Sequence, residues 1–321
     1  MQQVFTRILG IDIKYTTKVE DFIKHTGPKI TYTNQPLQNE FFVRCNDLLF
    51  EQGINNFEIT VGNWDEVPCF FRSGEGSVLP FDIFSASFYL LTRYEEYLPH
   101  VRDEHERFSA TQSLAFKHQF LEKPLVDIWA FKLLEKLKER FPDYDYKTRS
   151  YQYISTIDID NAFAYKYKSL VRTFGGFTKD FFTLKWRTFW DRFVVLTNFR
   201  KDPYNTFDKI LALKNRYKTE TLFFFLVADY TTFDTNVSPS KSKFKLLIKS
   251  MVDYAKVGLH PSYFSMKDES ILKKEKERLE SITNMPMEKS RQHYLRFSLP
   301  ETYQKLIDLE IKEDHSMGYA S

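Results

Sequence analysis

Two carboxylates and two histidines recur at the ends of apolar runs, and the carboxylates set the chemistry. In Tyr153-Ile154-Ser155-Thr156-Ile157-Asp158-Ile159-Asp160, strand alternation sends Thr156, Asp158 and Asp160 to one face and Ser155, Ile157 and Ile159 to the other. Two residues of rise span roughly 6.6 Å, which lets both acids reach one metal ion and its water. Taken alone the stretch also reads as a strand running out into a turn, since Asp followed by Asn161 suits a strand exit. Later runs supply partners. Lys256-Val257-Gly258-Leu259-His260 reads as a short strand ending on a histidine, with Pro261 fixing the chain direction. Arg291-Gln292-His293-Tyr294-Leu295-Arg296-Phe297 reads as a further strand. Ligands of parallel sheets and barrels gather at the carboxyl ends of strands, so Asp158, Asp160, His260 and His293 from three strands are candidate ligands of a divalent metal.

The elements that must position them follow from periodicity. From Tyr151 onward strands alternate with longer helical segments, which predicts a parallel sheet or barrel. Thr221 to Val227 is a continuous apolar run, the pattern of a strand buried on both faces. Helices are predicted over 207–218 and 243–255, from the capping-box-like Ser265-Met266-Lys267-Asp268 to Ile282, and from Pro300 to Leu309, with a last strand beginning at Ile311. Between Asn161 and Arg200 lie Phe181, Phe182, Trp186, Phe189, Trp190 and Phe193. Their faces would suit a sugar groove, but helical spacing favours burial against the sheet.

Residues 1–150 read as a separate α+β region. Strands are expected over 41–44 and 57–61, then a helix capped by Ser85 that carries Phe88, Leu91 and Leu98, and a second helix from Leu125 to Phe141 ended by Pro142. Between the helices, Asp103-Glu104-His105-Glu106-Arg107-Phe108 is best read as a solvated loop, because nothing else in that half offers a third metal ligand.

Length and composition bound the rest. A chain of 321 residues, 42% hydrophobic and 17% aromatic, has material for about two cored domains. The net charge of +3 comes from 46 basic and 43 acidic residues spread without a block of like charge, which argues against nucleic acid or an anionic membrane as partner. The densest run, Lys273 to Arg278, alternates in sign and reads as a solvated helix face. Cys45 and Cys69 form no metal-binding or disulfide spacing and suit a reducing compartment. The N-terminus lacks the pattern of an export signal, and no stretch of about 18 uncharged apolar residues is long enough to span a membrane. The expectation is a cytoplasmic location.

With its motifs in order, the segment 151–321 resembles the polysaccharide deacetylase family of metal-dependent carbohydrate esterases. Thr156-Ile157-Asp158-Ile159-Asp160 is similar to that family's opening strand in its Asp-x-Asp form, and Thr221 to Val227 to its Ala-Thr-Phe-Phe strand. Lys256 to Ser262 resembles its His-before-Ser motif, Arg291-Gln292-His293-Tyr294 its Arg-x-Pro-Tyr motif, and Glu313 to Tyr319 stands where a weaker fourth motif falls. A bacterial branch of the family carries an uncharacterised N-terminal domain, with stretches like Pro80-Phe81-Asp82-Ile83-Phe84 and Arg93-Tyr94-Glu95-Glu96-Tyr97. The resemblance implies an α/β fold in which a smaller α+β accessory domain, 1–150, precedes a distorted (β/α) barrel, 151–321. Counted from residue 151 there are about five strands, fewer than the seven or eight of a closed barrel, so the expected barrel is incomplete at its C-terminal end.

The same resemblance implies deacetylation of an N-acetylated sugar or polysaccharide with a zinc-like divalent metal. Asp160 and His260 would be metal ligands, with His293 substituting for the second histidine that Phe264 replaces. Asp158 would be the general base, Arg291 would keep it oriented and ionised, and the Tyr294 backbone N–H would contribute to the oxyanion pocket. No residue is assigned as general acid; His315 is the nearest candidate. Two further readings are a glycan-binding relative without catalysis and a glycoside hydrolase on a similar barrel. The second is disfavoured because its two carboxyl groups must flank a scissile bond roughly 5–9 Å apart.

Overall fold

A computed structural model describes residues 1–147 and 149–320. The chain divides into two compact units, one of residues 1–101 and 108–151, the other of residues 102–107 and 152–321. The ionisable loop 102–107 thus belongs with the second unit.

The first unit contains α1 (Val19–Lys24), β1 (Ile30–Thr33), β2 (Phe41–Arg44), β3 (Gly62–Trp64), β4 (Val67–Cys69), α2 (Ile83–Leu91), α3 (Leu114–Lys117) and α4 (Leu125–Arg140). Strands β1 and β2 pair in parallel and β3 and β4 antiparallel. The core gathers Phe41, Phe70, Phe81 and Trp129, all fully buried, and Trp129 Nε1 donates to the Pro68 carbonyl at 2.9 Å, so its one polar atom is satisfied. Two expectations are corrected. Phe57, Ile59 and Val61 pack on the core without pairing as a strand. The cap of α2 is Asp82, whose Oδ1 accepts from Phe84 N and Ser85 N at 2.9 and 3.1 Å, while Ser85 lies buried inside the first turn. The helix ends at Leu91 because Arg93 takes a left-handed backbone, φ 52°.

The second unit runs β5 (Ile154–Ile159), α5 (Leu170–Phe182), α6 (Trp186–Leu196), α7 (Phe207–Tyr217), β6 (Glu220–Phe225), α8 (Ser242–Val252), β7 (Lys256–Leu259), α9 (Glu269–Thr283), β8 (Lys289–Ser290), α10 (Glu301–Asp308) and β9 (Glu313–Asp314). Its five strands form one curled parallel sheet in chain order, a half-barrel. Strand β6 is central to the packing: Phe223, Phe224 and Phe225 are fully buried, each worth roughly 1.5–3 kcal/mol of transfer free energy. Phe244, Ile248 and Met251 of α8 and Leu272, Leu279 and Ile282 of α9 close over it.

Here too the sequence expectations need revision. The strand predicted over 291–297 does not form: β8 is Lys289–Ser290, and His293–Leu295 is a 3-10 turn. Arg291 N and His293 N still reach the Leu259 and Pro261 carbonyls at 3.0 and 3.1 Å, but Tyr294 and Leu295 take left-handed backbones, φ 60° and 49°, and turn the chain away. Helix α9 is capped by Asp268, which accepts from Ser270 N at 2.9 Å. Within the charged run on α9, Glu275 is only 2% exposed and so is not part of a solvated face. Finally, the aromatics of α5 and α6 expected to bury against the sheet are largely exposed: Phe182 is 77% and Trp190 59% accessible.

Candidate metal centre

The parallel strands of the half-barrel all end at the same edge. The register aligns Asp158 with Phe224 and Ile159 with Phe225 on β6, then Phe225 with Leu259 on β7, Leu259 with Ser290 on β8, and Ser290 with Asp314 on β9. Asp160, His260 and Arg291 each follow directly on the end of a strand, so one rim collects them. The pleat places Ile159 in the core and Thr156 with Asp158 on the opposite face, where both meet Arg291.

Asp160, His260 and His293 offer three ligand atoms that all lie within 4.8 Å of one another, a cluster able to hold a metal ion. His260 Nε2 is 3.1 Å from Asp160 Oδ1, and His293 Nε2 is 3.9 Å from Asp160 Oδ2. Both imidazoles are buried. The remaining nitrogen of each is committed: His260 Nδ1 donates to the Arg291 carbonyl, and His293 Nδ1 donates to Asp234 Oδ1 at 2.9 Å. Because a carbonyl and a carboxylate only accept, these bonds hold a proton on Nδ1 and leave each Nε2 facing Asp160, able to carry a second proton toward the carboxylate or to give its lone pair to a metal. Two imidazoles and one carboxylate are a donor set that suits zinc, with a coordination position left for a water or substrate. The residue four positions after His260, Phe264, is 40% exposed and packs edge-on against Phe233 at 5.9 Å, so His293 supplies the second imidazole.

The electrostatics agree with that arrangement. Burial pushes the Asp160 carboxyl upward, but the hydrogen bond from His260 and the two imidazoles outweigh it and hold the group below the usual carboxylate range. Asp234 behaves in the same way: burial raises it, while His293, the Tyr263 N–H at 3.0 Å and the Thr231 hydroxyl at 2.8 Å bring it down overall. Asp234 is therefore an ionised, buried carboxylate whose task is to fix His293.

Beside the ligands stands a separate acid. Arg291 Nη1 donates to Asp158 Oδ1 at 3.0 Å, Nη2 to Thr156 Oγ1 at 2.8 Å and Nε to the His315 carbonyl at 3.1 Å, and the guanidinium lies 4.9 Å from the Phe224 ring centre. Three bonds and a ring face leave the guanidinium one orientation. Asp158 keeps 34% of its side chain accessible, so one carboxylate oxygen is anchored and the other can meet a ligand. The ring of His315 packs on Phe224 at 5.1 Å and lies 3.7 Å from Glu313; burial and then the nearby Arg291 push its pKa down. Asp314 is spent on structure, accepting from Ser290 Oγ at 2.7 Å and from Ser316 N at 3.0 Å.

An aromatic wall adjoins His293. Tyr294 is 4.6 Å from its ring and 5.4 Å from Tyr263, and Tyr263 stacks on Phe233 at 3.9 Å. His105 completes it, 5.1 Å from Tyr294, with Nδ1 3.1 Å from the Tyr263 hydroxyl. The loop read as solvated is thus built into this unit: Arg107 donates to the Tyr294 carbonyl at 2.8 Å, and Arg296 bonds the His105 carbonyl at 2.9 Å and pairs with Glu106. Those contacts hold Tyr294 and Leu295 in left-handed conformations that cost on the order of 1–3 kcal/mol each for such residues.

The sequence reading gave no role to Asp234, Phe233 or Tyr263, and none to Thr156 beyond its place on the face of the acids. Asp234 gave only a weak signal, an acid in the loop nine residues past the end of β6. His105 had none, being recruited from a distant part of the chain.

Comparison with known proteins bears on the first unit. Residues 1–142 match a family of unknown function, DUF7033. No curated protein and no solved structure matches the chain. The two N-terminal stretches singled out above serve the fold there: Asp82 caps α2 and accepts from Tyr32 at 2.7 Å, Arg93 pairs with the buried Glu96, and Glu95 accepts from Leu114 N at 2.6 Å.

Proposed function

We propose that the second unit is a divalent-metal-dependent carbohydrate N-deacetylase, hydrolysing an acetamide to acetate and a free amine. The observation that carries this reading is the division of labour on one strand: Asp160 faces two imidazoles whose Nδ1 protons are committed, while Asp158 is held apart by Arg291. A divalent cation, when bound, polarises a carbonyl and acidifies water near neutral pH. Asp158 accepts the proton as water adds to the acetyl carbon, and that proton passes to the amide nitrogen as the C–N bond breaks, releasing acetate and the amine. Arg291, fixed on Thr156 and His315, holds Asp158 in one orientation. Tyr294 stands beside His293, where its backbone N–H can meet the developing oxyanion. Tyr294, 37% exposed, offers an aromatic ring of the kind that packs on sugars.

A glycoside hydrolase fits less well, because both strand carboxylates are already committed on the same face, one to arginine and one to imidazole, rather than flanking a cleft. A glycan-binding relative without turnover is the second reading, favoured by the aromatic wall alone. The deciding experiment measures bound zinc and acetate released from N-acetylglucosamine oligomers. Stoichiometric zinc with acetate release, the release falling at least about a thousandfold in Asp158→Asn with zinc retained, is the expected outcome. Zinc without acetate release from any acetylated oligomer leaves the binding reading, and no metal at any pH overturns the proposal.

A further inference from the structure

Helices α5 and α6 form a hairpin joined at its seam by a buried ion pair and an aromatic contact and apolar outside. At the seam Asp180, 5% exposed, accepts from Arg192 Nε and Nη2 at 3.0 and 2.9 Å. The guanidinium lies 4.9 Å from the Tyr165 ring centre, and Phe177 meets Phe189 at 5.0 Å. Outside, Leu170, Phe174 and Phe181 of α5 recur at i, i+4 and i+11, and Trp186, Trp190 and Phe193 of α6 at i, i+4 and i+7. Each of these six side chains is at least 44% exposed. Phe181 touches Trp186 edge-on at 5.3 Å, so the two stripes join into one surface. Val171, Phe182 and Leu184 extend it at 71–82% exposure. A contiguous apolar face of this kind marks an interaction site.

Charge says what the face meets. Across residues 161–200 eight lysines and arginines stand against two acids, Asp180 and Asp191, each already paired with an arginine. The segment therefore carries six net positive charges in a chain whose total is +3, a concentration that the even scatter of the whole sequence conceals. Among the described residues no carboxylate pairs with Lys179, Lys185 or Arg187.

We infer that the α5–α6 hairpin docks on the surface of an anionic lipid bilayer, with its tryptophan, phenylalanine and leucine side chains in the headgroup region and its lysines and arginines on the lipid phosphates. Aromatic and aliphatic side chains beside Lys and Arg are the composition of helices that lie in a membrane interface. None of the described helices is long and apolar enough to cross a membrane, so the hairpin lies on the surface. A second copy of the chain is a poor occupant, because a self-complementary contact brings two hexapositive segments together. A sugar polymer stacks on ring faces and leaves the exposure of Leu170, Val171 and Leu184 without a reason.

The full chain is sedimented with vesicles of phosphatidylcholine containing phosphatidylglycerol, and with vesicles of phosphatidylcholine alone, while tryptophan emission is followed. Binding to the anionic vesicles with a blue shift, weakened about tenfold or more by Lys185→Glu with Arg187→Glu, is expected. Trp186→Ser with Trp190→Ser removes both the shift and the binding, with helical circular dichroism unchanged. Equal binding to the two vesicle types, no binding to either, or a dimer in solution that the tryptophan substitutions dissociate overturns the inference.

Discussion

At the scale of single residues, the site is a set of side chains each left with one free function. His260 and His293 retain Nε2, Asp158 retains one oxygen, and Arg291 retains no freedom. Asp234 carries the most of this arrangement for its visibility. Its carboxylate holds Thr231, Tyr263 N and His293 together, so replacing it with asparagine keeps the shape but offers His293 an amide in place of a charge. The Nδ1 proton is then less firmly held and the imidazole is a poorer donor to metal. Asp234→Asn should weaken zinc affinity about 10- to 100-fold, measured by competition with a chromophoric chelator. Asp158→Asn should leave that affinity within about twofold, because Asp158 lies outside the ligand set. Equal losses in the two variants would remove the distinction between ligand support and base on which the proposed chemistry depends.

At the scale of elements, the placement of His260 rests on β7 fitting between β6 and β8, and Gly258 is what lets it fit. A Cβ there would stand 2.7 Å from Phe224 Cε1 and 2.9 Å from the Lys289 carbonyl oxygen. Phe224 is fully buried and Lys289 O is backbone, so neither neighbour gives way cheaply. Gly258→Ala should cost about 1–3 kcal/mol in urea denaturation and also loosen zinc binding, since the strand that shifts carries His260 two residues on; an unchanged midpoint would show that the strands are not tightly registered. The long parallel strands were legible in the sequence because burial on both faces of Thr221 to Val227 leaves a continuous apolar run, and because Asp158, Asp160 and His260 fall at or next to strand ends. The turn at Tyr294 was not legible, because Tyr294, Leu295 and Phe297 have the composition of a strand, and the left-handed backbone is held by Arg107, which is remote in sequence. The α5–α6 aromatics misled for a different reason: helical periodicity marks an apolar face but not what covers it.

At the scale of the whole molecule, buried acids titrate in opposite senses and set how stability follows pH. Asp234 is held below its ordinary pKa, so its contribution is present above the unfolded value near 4 and is lost as pH falls. Glu275 works the other way. It is 2% exposed, accepts from Ser262 N at 2.9 Å, and burial pushes its pKa up to about 7. The folded chain then binds a proton that the unfolded chain has already released, so stability falls as pH rises from about 4.5 and levels off above about 7. The ceiling on that loss is about 3 kcal/mol, from the difference between the two pKa values. Metal-free protein in chelator should therefore be most stable near pH 5, between the two titrations, with a lower urea midpoint at pH 8. Glu275→Gln keeps an acceptor for Ser262 N and removes the proton, so it should raise the midpoint at pH 8 and change it little at pH 5. If the substitution leaves the slope between these pH values intact, the charge that weakens the folded chain lies elsewhere than beside the His260 loop.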